Sequence, residues 1–417
     1  MVPVFIAYPP LFLYHPVKIK ITMNLKKMIL LVVLNTLILL SPLNVSERSI
    51  VVVVAKGLLV SDPQLDEMMK SERFVEWRLI RGEFEYEDIK DASLIMFVKV
   101  NPAANLSQGE IKALVRWFKE GSKILWLAGD GDYGEGCLRQ NDVNKVLESI
   151  GSALRIEHSS VRDPISNAGT PRRVLARPCK SSWMSILSKD VKNALFHNPG
   201  PIIALINSTY VRLEEKTPPN VLKVMCSSDY SSVADLNPPP PQAHVIGERG
   251  PLVLMAVEYI ENAESIVVLT GSAPFNHFTG MYMPKISNPE IYSSLDEQGD
   301  ILVRNLLLIG TNPDLLVSLM KTRLRLLSNE KKLSYLRERT SELLEKIDRM
   351  VLELKAREEE IDNLKTNLQK TVLELRNLRI RLNRLLNENN VLKIFIIVLV
   401  VIGFLLGLAS GRIKFKK

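Results

Sequence analysis

The sequence predicts an α/β domain built on a mostly parallel, doubly wound sheet, followed by a long coiled-coil helix and a transmembrane helix. Three patterns in the 417-residue chain support this fold class. Strand and helix patterns alternate over residues 48–310, a heptad repeat runs through residues 311–392, and an apolar segment occupies residues 391–410. Alternating strands and helices imply right-handed crossovers and therefore a mostly parallel sheet.

The clearest elements lie in the first part of the domain. The β-branched apolar runs Ile50–Ala55 and Leu94–Val98 are typical of strands that are buried on both faces. Ser107, followed three residues later by Glu110, forms a capping-box pattern, so a helix is expected to begin there. Gly121 is expected to end that helix.

The rest of the domain gives weaker signals. Further strands are expected at residues 123–128, 153–157, 251–259 and 265–269, and further helices at residues 141–150 and 300–309. The middle of the domain, residues 160–250, has no clear period and is interpreted as irregular. Four consecutive prolines at residues 238–241 predict an exposed loop within it.

The heptad repeat predicts a coiled-coil stalk over residues 311–392. Starting at Thr340, twelve of the sixteen a and d positions are apolar in one unbroken register. Asn389 occupies an a position near the membrane, where it either fixes register and oligomer state or is tolerated at the water boundary. Apolar e positions leave dimer, trimer and antiparallel pairing open. A parallel dimer or trimer is favoured because every chain is anchored at the same end.

Both ends of the chain carry apolar segments. Residues 23–45 combine a short basic region with an apolar run and predict a signal peptide or an uncleaved signal anchor. Residues 1–22 do not fit that pattern, so Met23 is expected to be the initiator and the residues before it an upstream misreading. Residues 391–410 predict a single transmembrane helix in the lipid bilayer, and residues 411–417 a basic cytoplasmic tail. The N-terminal signal, not the charge beside the anchor, then makes the main domain extracellular.

Charge and cysteine content exclude several classes of function. The net charge is +8, but the basic residues are dispersed and form no compact patch with aromatic residues, so no nucleic-acid partner is expected. The three cysteines form no CxxC pair, which argues against a zinc or redox motif. At most one intrachain disulfide is possible, and at least one thiol is left over.

Four segments resemble a known family. They are VNPAANLSQGEIKALVRWFKEGSKILWLAGDGDYGEG, NDVNKVLESIGSALRIEHSSVRDPISN, SIVVLTGSAPFNHF and DILVRNLLLIG. Together they resemble the amidotransferase-like domain of ABC-transporter auxiliary proteins, a group that includes gliding-motility and intraflagellar-transport relatives. The resemblance covers roughly residues 48–310. It implies a flavodoxin-like sheet related to class I glutamine amidotransferases, used as a binding or scaffold module in membrane or surface complexes. The layout of stalk and anchor is also similar to that of archaeal surface-layer anchoring proteins.

An amidotransferase needs a nucleophile, usually Cys, on a sharp strand-to-helix turn, and a His to activate it. The matching turn here, residues 129–136, contains no Cys, Ser or Thr, and Cys137 lies beyond it in a different pattern. Ser272 follows a strand and could lie at the same sheet edge, but no Asp/His partner can be assigned, and a turn or helix-cap role is favoured. We therefore expect no enzymatic activity and no catalytic residue.

The Gly/Asp turn is still the most distinctive segment of the domain. It follows a strand, so it should lie at the carboxyl edge of the sheet, where doubly wound folds bind ligands. Asp130, Asp132, Tyr133 and Glu135 are the candidate ligand or metal residues, with Ser272 nearby. Carboxylates on a flexible loop suit Ca²⁺, although the match to a calcium-binding loop is partial. The favoured alternative is a tight, solvated turn that uses Asp and Gly for their backbone geometry.

These patterns predict a non-enzymatic, membrane-anchored cell-surface protein that displays an α/β binding domain on an oligomeric stalk. The alternative is a ligand-binding auxiliary subunit of an ABC-type membrane transporter complex. Expected partners are the lipid bilayer, other copies of the chain through the coil, and an unidentified surface or transporter protein. No cofactor is expected, apart from the calcium alternative.

Overall fold

The structure is a computed structural model that describes residues 48–180, 186–276, 279–388 and 399–403. The chain divides into two compact units, with the boundary between Leu324 and Arg325. The predicted upstream misreading, the signal segment, the basic tail and Asn389 lie outside the described residues. Most of the predicted transmembrane segment does as well.

A nine-stranded sheet forms the centre of the first unit, in the order β2-β1-β3-β4-β14-β13-β11-β7-β8. Two smaller antiparallel sheets, β10-β9-β5 and β12-β6, complete the β-structure. The fourteen strands are β1 Ile50–Lys56, β2 Glu76–Ile80, β3 Ala92–Lys99, β4 Ile124–Ala128, β5 Leu154–Ile156, β6 Ser160–Arg162, β7 Arg173–Pro178, β8 Ala194–His197, β9 Ile202–Ile206, β10 Thr209–Arg212, β11 Val221–Cys226, β12 Ser232–Ala234, β13 Val253–Ile260 and β14 Ser265–Thr270.

The large sheet is mixed: one half is parallel and the other antiparallel. Strands β2, β1, β3, β4 and β14 run parallel to their neighbours, as the alternation of strands and helices predicts. From β14 outward, β13, β11, β7 and β8 pair antiparallel. The expectation of a mostly parallel sheet therefore needs correction to a mixed sheet.

The segment interpreted as irregular, residues 160–250, supplies seven strands, so that interpretation was wrong. These strands are three to six residues long, and several are only partly buried. A strand of that length is too short to establish an alternating pattern in the sequence. The prolines expected in an exposed loop do lie there: Pro238, Pro239 and Pro240 are exposed.

The helices are α1 Pro63–Ser71, α2 Tyr86–Ile89, α3 Gln108–Phe118, α4 Gly136–Ser149, α5 Pro289–Tyr292, α6 Gly299–Gly310 and α7 Pro313–Glu388, with 3₁₀ turns at Glu261–Ala263 and Pro284–Ile286. The capping box at Ser107 and Glu110 is present at the start of α3, and Gly121 follows its end with a φ of +86°. Helix α4 begins five residues earlier than the sequence predicts, directly after the Gly/Asp turn.

Helices cover both faces of the large sheet. Alternate residues of β1 enter different core clusters: Val51 and Val53 contact one, Val52 and Val54 the other. Helices α3 and α4 contribute to the second cluster, whereas α1, α6 and the first turns of α7 contribute to the first. Burial on both faces explains why these strands are continuous apolar runs.

Cys179 and Cys226 form a disulfide that joins the end of β7 to the end of β11. Cys137, in the first turn of α4, is a free thiol and half-buried. The pairing agrees with the expectation of at most one intrachain bridge.

Helix α7 contains 76 residues, which at 1.5 Å per residue gives a length of roughly 110 Å. Its first turns bury Leu316, Val317 and Met320 in the α/β unit. From Ser328 to Arg381 every residue is exposed. A long C-terminal helix is what the predicted coiled coil requires.

Within the described residues, no single helix has the length and apolar content needed to cross a membrane. One pair of consecutive helices, Gly299–Gly310 and Pro313–Arg381, together has that length and apolar content, but the pair is bent by 90°.

Candidate functional site

An open cleft of about 580 Å³ lies at the carboxyl ends of β3, β4 and β14. Parallel strands in doubly wound folds present their ligand sites at this edge. Four of the residues singled out from the sequence line the cleft: Asp130, Tyr133, Glu135 and Ser272. Asp132 is the exception.

Asp130 is the second residue after β4 and is held in place by Arg139 of α4. The Arg139 guanidinium donates to Asp130 Oδ2 at 2.9 Å and to the main-chain oxygens of Lys99 and Val100, both also at 2.9 Å. One side chain therefore joins α4 to the ends of β3 and β4. The Asp130 side chain is 23% exposed, so it is accessible from the cleft.

Burial raises the pKa of Asp130 to about 6. Arg139, the Gly131 N–H and Asn198 act in the opposite direction and offset part of that effect. A carboxyl group with this pKa changes protonation state near neutral pH, which is unusual for an aspartate.

Lys99, at the end of β3, is also paired with a carboxylate. Its ammonium group forms an ion pair with Asp142 of α4 and donates to the Leu138 main-chain oxygen at 3.2 Å. Both members of this ion pair are buried. Lys99 and Arg139 are therefore each matched by a carboxylate.

A segment from the antiparallel half crosses the same edge. Gly131 N–H donates to the Asn198 main-chain oxygen at 2.8 Å, and Gly200 N–H donates to that of Gly271 at 3.0 Å. Ser272 Oγ donates to the main-chain oxygen of His197 at 3.2 Å. Residues 197–200 thus connect the turns after β4 and β14, and His197 and Asn198 line the cleft.

These close contacts explain why glycine occupies positions 131 and 271. A Cβ on Gly271 would lie 2.1 Å from the Gly200 oxygen, and a Cβ on Gly131 would lie 2.4 Å from Ser160 Oγ. Two main-chain segments cannot approach this closely when a side chain lies between them.

Arg172 and Arg173 contribute positive charge to the cleft. The Arg173 guanidinium lies 5.6 Å from the centre of the Tyr292 ring. His197 is beside them, and burial, followed by the charges of Arg173 and Arg172, lowers the pKa of His197 to about 4. The imidazole is therefore neutral at physiological pH.

Asp132 is fully buried and is not among the residues that line the cleft. Its Oδ1 accepts from the Ser160 hydroxyl at 2.6 Å, while Oδ2 accepts from the Leu236 and Asn237 N–H groups at 2.7 and 3.2 Å. Asp132 therefore attaches the turn to the loop that precedes the prolines.

Tyr133 and Glu135 are exposed at the rim. Within the described residues, no group of three or more His, Cys, Asp or Glu side chains converges as metal ligands would. Cys137 is not among the described residues that line the cleft.

A second buried polar cluster lies beyond the cleft. His244 Nδ1 is 2.6 Å from Glu157 Oε2, and Nε2 is 3.3 Å from Glu214 Oε2. Glu157 also accepts from the N–H groups of Gln242, Ala243 and His244. The cluster fixes the loop that follows the prolines against the strand end at Glu157.

Sequence reasoning missed Arg139, Arg172, Arg173 and Asn198 as cleft residues. Arg139 is nine residues from Asp130 and on the adjoining helix, a spacing that could have suggested the contact. Arg172 and Arg173 lie in the segment interpreted as irregular, where nothing in the sequence assigns them to the sheet edge.

No protein-family model matches the chain. The search of curated proteins gives no match either. Among solved structures, one similar chain is the mmIFT52 N-terminal domain, at 10% sequence identity and a TM-score of 0.41; the match covers 63% of this chain and 98% of that one. Functional inference for this chain therefore depends on its own residues and geometry.

Proposed function

We propose that the chain is a non-enzymatic, membrane-anchored cell-surface protein that displays an α/β binding domain on an oligomeric coiled-coil stalk. The observation that carries the proposal is the exposed apolar stripe along α7. Leu354, Leu364 and Leu368, at a or d positions, are 62%, 61% and 65% exposed in the single chain. An isolated helix with a continuous apolar seam is covered by a second helix of the same kind when several copies are anchored together.

Parallel association of the stalks is favoured over antiparallel pairing because the predicted anchor is at the same end of every copy. A transmembrane helix at one end of each copy would hold all stalks in the same direction in the bilayer. The heptads would then align a with a and d with d, so that identical residues face each other.

Disulfide cross-linking in native membranes tests the register. In a Cys137→Ser background, Leu364→Cys introduces a thiol at a d position, and Thr366→Cys introduces one two residues away on the outward f position. Mild oxidation should give a cross-linked dimer with the first variant and little with the second. Equal cross-linking of both variants, or none with either, would contradict a parallel coil.

Export of the α/β domain is supported by the Cys179–Cys226 disulfide, because structural disulfides persist mainly in oxidising compartments. Protease treatment of intact cells tests the location. Digestion of the α/β domain is expected, and protection of the domain until the cells are lysed would assign it to the cytoplasm.

The absence of enzymatic activity is proposed from the turn after β4. Its described residues offer Asp130, tied to Arg139, where an acyl-transfer enzyme needs a Cys or Ser next to a His. The Ser272 hydroxyl bonds to a main-chain oxygen of His197, not to its imidazole.

The second candidate function is that of a ligand-binding auxiliary subunit of an ABC-type transporter, and the cleft favours it. A cleft of about 580 Å³ falls in the size range of small-molecule sites. Genes for an ATPase and a permease next to the gene for this chain would favour this alternative over surface display. We also propose that the domain is flavodoxin-like and related to class I glutamine amidotransferases. The four sequence segments that resemble the amidotransferase-like family support this relationship.

A further inference from the structure

The charges around the cleft are unevenly matched. Lys99 and Arg139 each contact a carboxylate, Asp142 and Asp130 respectively. Arg172 and Arg173 make no ion pair with any described residue. The part of the cleft beside β7 and β8 therefore carries excess positive charge.

Arg173 is also incompletely satisfied. It is half-buried, and its Nε is buried yet makes no hydrogen bond within the described residues. An N–H in this position loses contact with water without gaining an acceptor, which is unfavourable unless a ligand supplies one. The Tyr292 ring, 5.6 Å away, restricts where the guanidinium can lie.

The neighbouring groups suit the same kind of ligand. His197 is neutral, so an imidazole N–H can donate without adding a charge. Ser272 and Asn288 present further polar atoms on the cleft lining. Asp130 does not oppose an anion strongly, because Arg139 lies against its carboxylate.

We propose that the cleft binds a small molecule through an oxyanion group, a carboxylate or a phosphate, which Arg172 and Arg173 hold. The planar guanidinium offers two parallel N–H donors whose spacing matches two oxygens of either group. The open side of the cleft, with Tyr133 at its rim, leaves room for the rest of the ligand. The inference rests on the proposed function only in treating the α/β domain as a binding domain.

The experiment uses the detergent-solubilised full chain, with sodium phosphate and sodium malonate as separate probes at constant ionic strength maintained with sodium chloride. Thermal unfolding followed by tryptophan fluorescence reports binding, because a ligand that binds the folded state raises Tm in a saturable way. Trp117 and Trp126 are buried in the domain and report its unfolding. Response to phosphate alone, to malonate alone or to both supports the proposal and identifies which oxyanion the site accepts.

Arg172→Gln is the main variant because Arg172 is exposed and its loss does not threaten the fold. It should weaken binding about tenfold or more, as loss of a charge-assisted contact does. Arg173→Lys keeps the positive charge but removes the two parallel N–H donors of the guanidinium, so it should also weaken oxyanion binding. Arg177→Gln is the matched control: Arg177 is an exposed arginine of β7, the strand that begins directly after Arg172, and it does not line this cleft.

Two results would overturn the proposal. One is the lack of a saturable rise in Tm with either probe. The other is equal weakening in Arg172→Gln and Arg177→Gln, which would reveal a general effect of net charge or of the salt. Neither result depends on the stalk or on the side of the membrane. Failure of the oxyanion proposal can therefore be distinguished from failure of the proposed function, which the cross-linking and protease experiments test.

Discussion

Replacing His244 by Gln should remove a pH-dependent part of the domain's stability. The imidazole is buried between Glu157 and Glu214, with side-chain exposure of 1%. Burial alone favours the neutral ring, but the hydrogen bonds and charges of the two glutamates outweigh it and raise the pKa of His244 to about 9. The folded protein therefore holds a proton that the unfolded chain releases near its ordinary pKa of about 6.5.

The magnitude follows from the difference between the two pKa values. Because the pKa is raised on folding, the stabilisation is complete below about pH 6.5 and is lost as the pH rises through about 9. At 1.36 kcal/mol per unit, the pKa difference corresponds to about 3 kcal/mol of unfolding free energy. Glu157 has a lowered pKa, and its linkage acts in the acid range, outside this window.

Urea unfolding of the full chain in detergent, followed by tryptophan fluorescence, measures the effect at pH 6 and again above pH 9. The cost of His244→Gln should be larger at the lower pH by about 3 kcal/mol. The pH-independent cost of replacing the ring cancels in that difference. Glu214→Gln is the companion variant, and it should remove only part of the pH dependence because Glu157 remains. A cost of His244→Gln that is the same at both pH values would refute the assignment of a protonated imidazole.

Two further predictions concern the fold. Cys179→Ser together with Cys226→Ser opens a loop with a sequence separation of 47 and should lower the unfolding free energy by about 4 kcal/mol on the chain-entropy model, measurable by urea unfolding; no change after the double substitution would mean that the bridge is not formed in the protein. Gly271→Ala introduces a Cβ 2.1 Å from the Gly200 oxygen and should lower Tm sharply, whereas Gly82→Ala, where nothing lies within 4 Å, should leave it nearly unchanged.

The sequence was most informative where elements are long or buried on both faces. The run Ile50–Ala55 predicts β1 because its five residues from Val51 to Ala55 are all buried. The capping box at Ser107 predicts the start of α3 because its signal is local and needs no tertiary contact. The heptads predict one uninterrupted helix for the same reason.

The antiparallel half of the sheet could not be predicted in the same way. Strand β7 exposes part of every second side chain and pairs with β11, about fifty residues further along the chain. The burial of β7 alternates, but its sequence RVLARP does not, because the partly buried Leu175 is apolar like its buried neighbours. Arg172 and Arg173 were missed along with the strand that brings them to the cleft.

The Gly/Asp turn contains residues that pack against the domain and residues that line the cleft. Position 131 requires glycine because Ser160 and the Asn198 main chain leave no room for a Cβ. The Asp132 carboxylate accepts hydrogen bonds from the Ser160 hydroxyl and the Leu236 N–H. These residues serve backbone geometry and packing. Asp130 differs because its carboxylate, held by Arg139, is accessible from the cleft. Asp130, Tyr133 and Glu135 of the turn therefore line the cleft, while Gly131 and Asp132 fix the turn against neighbouring segments of the domain.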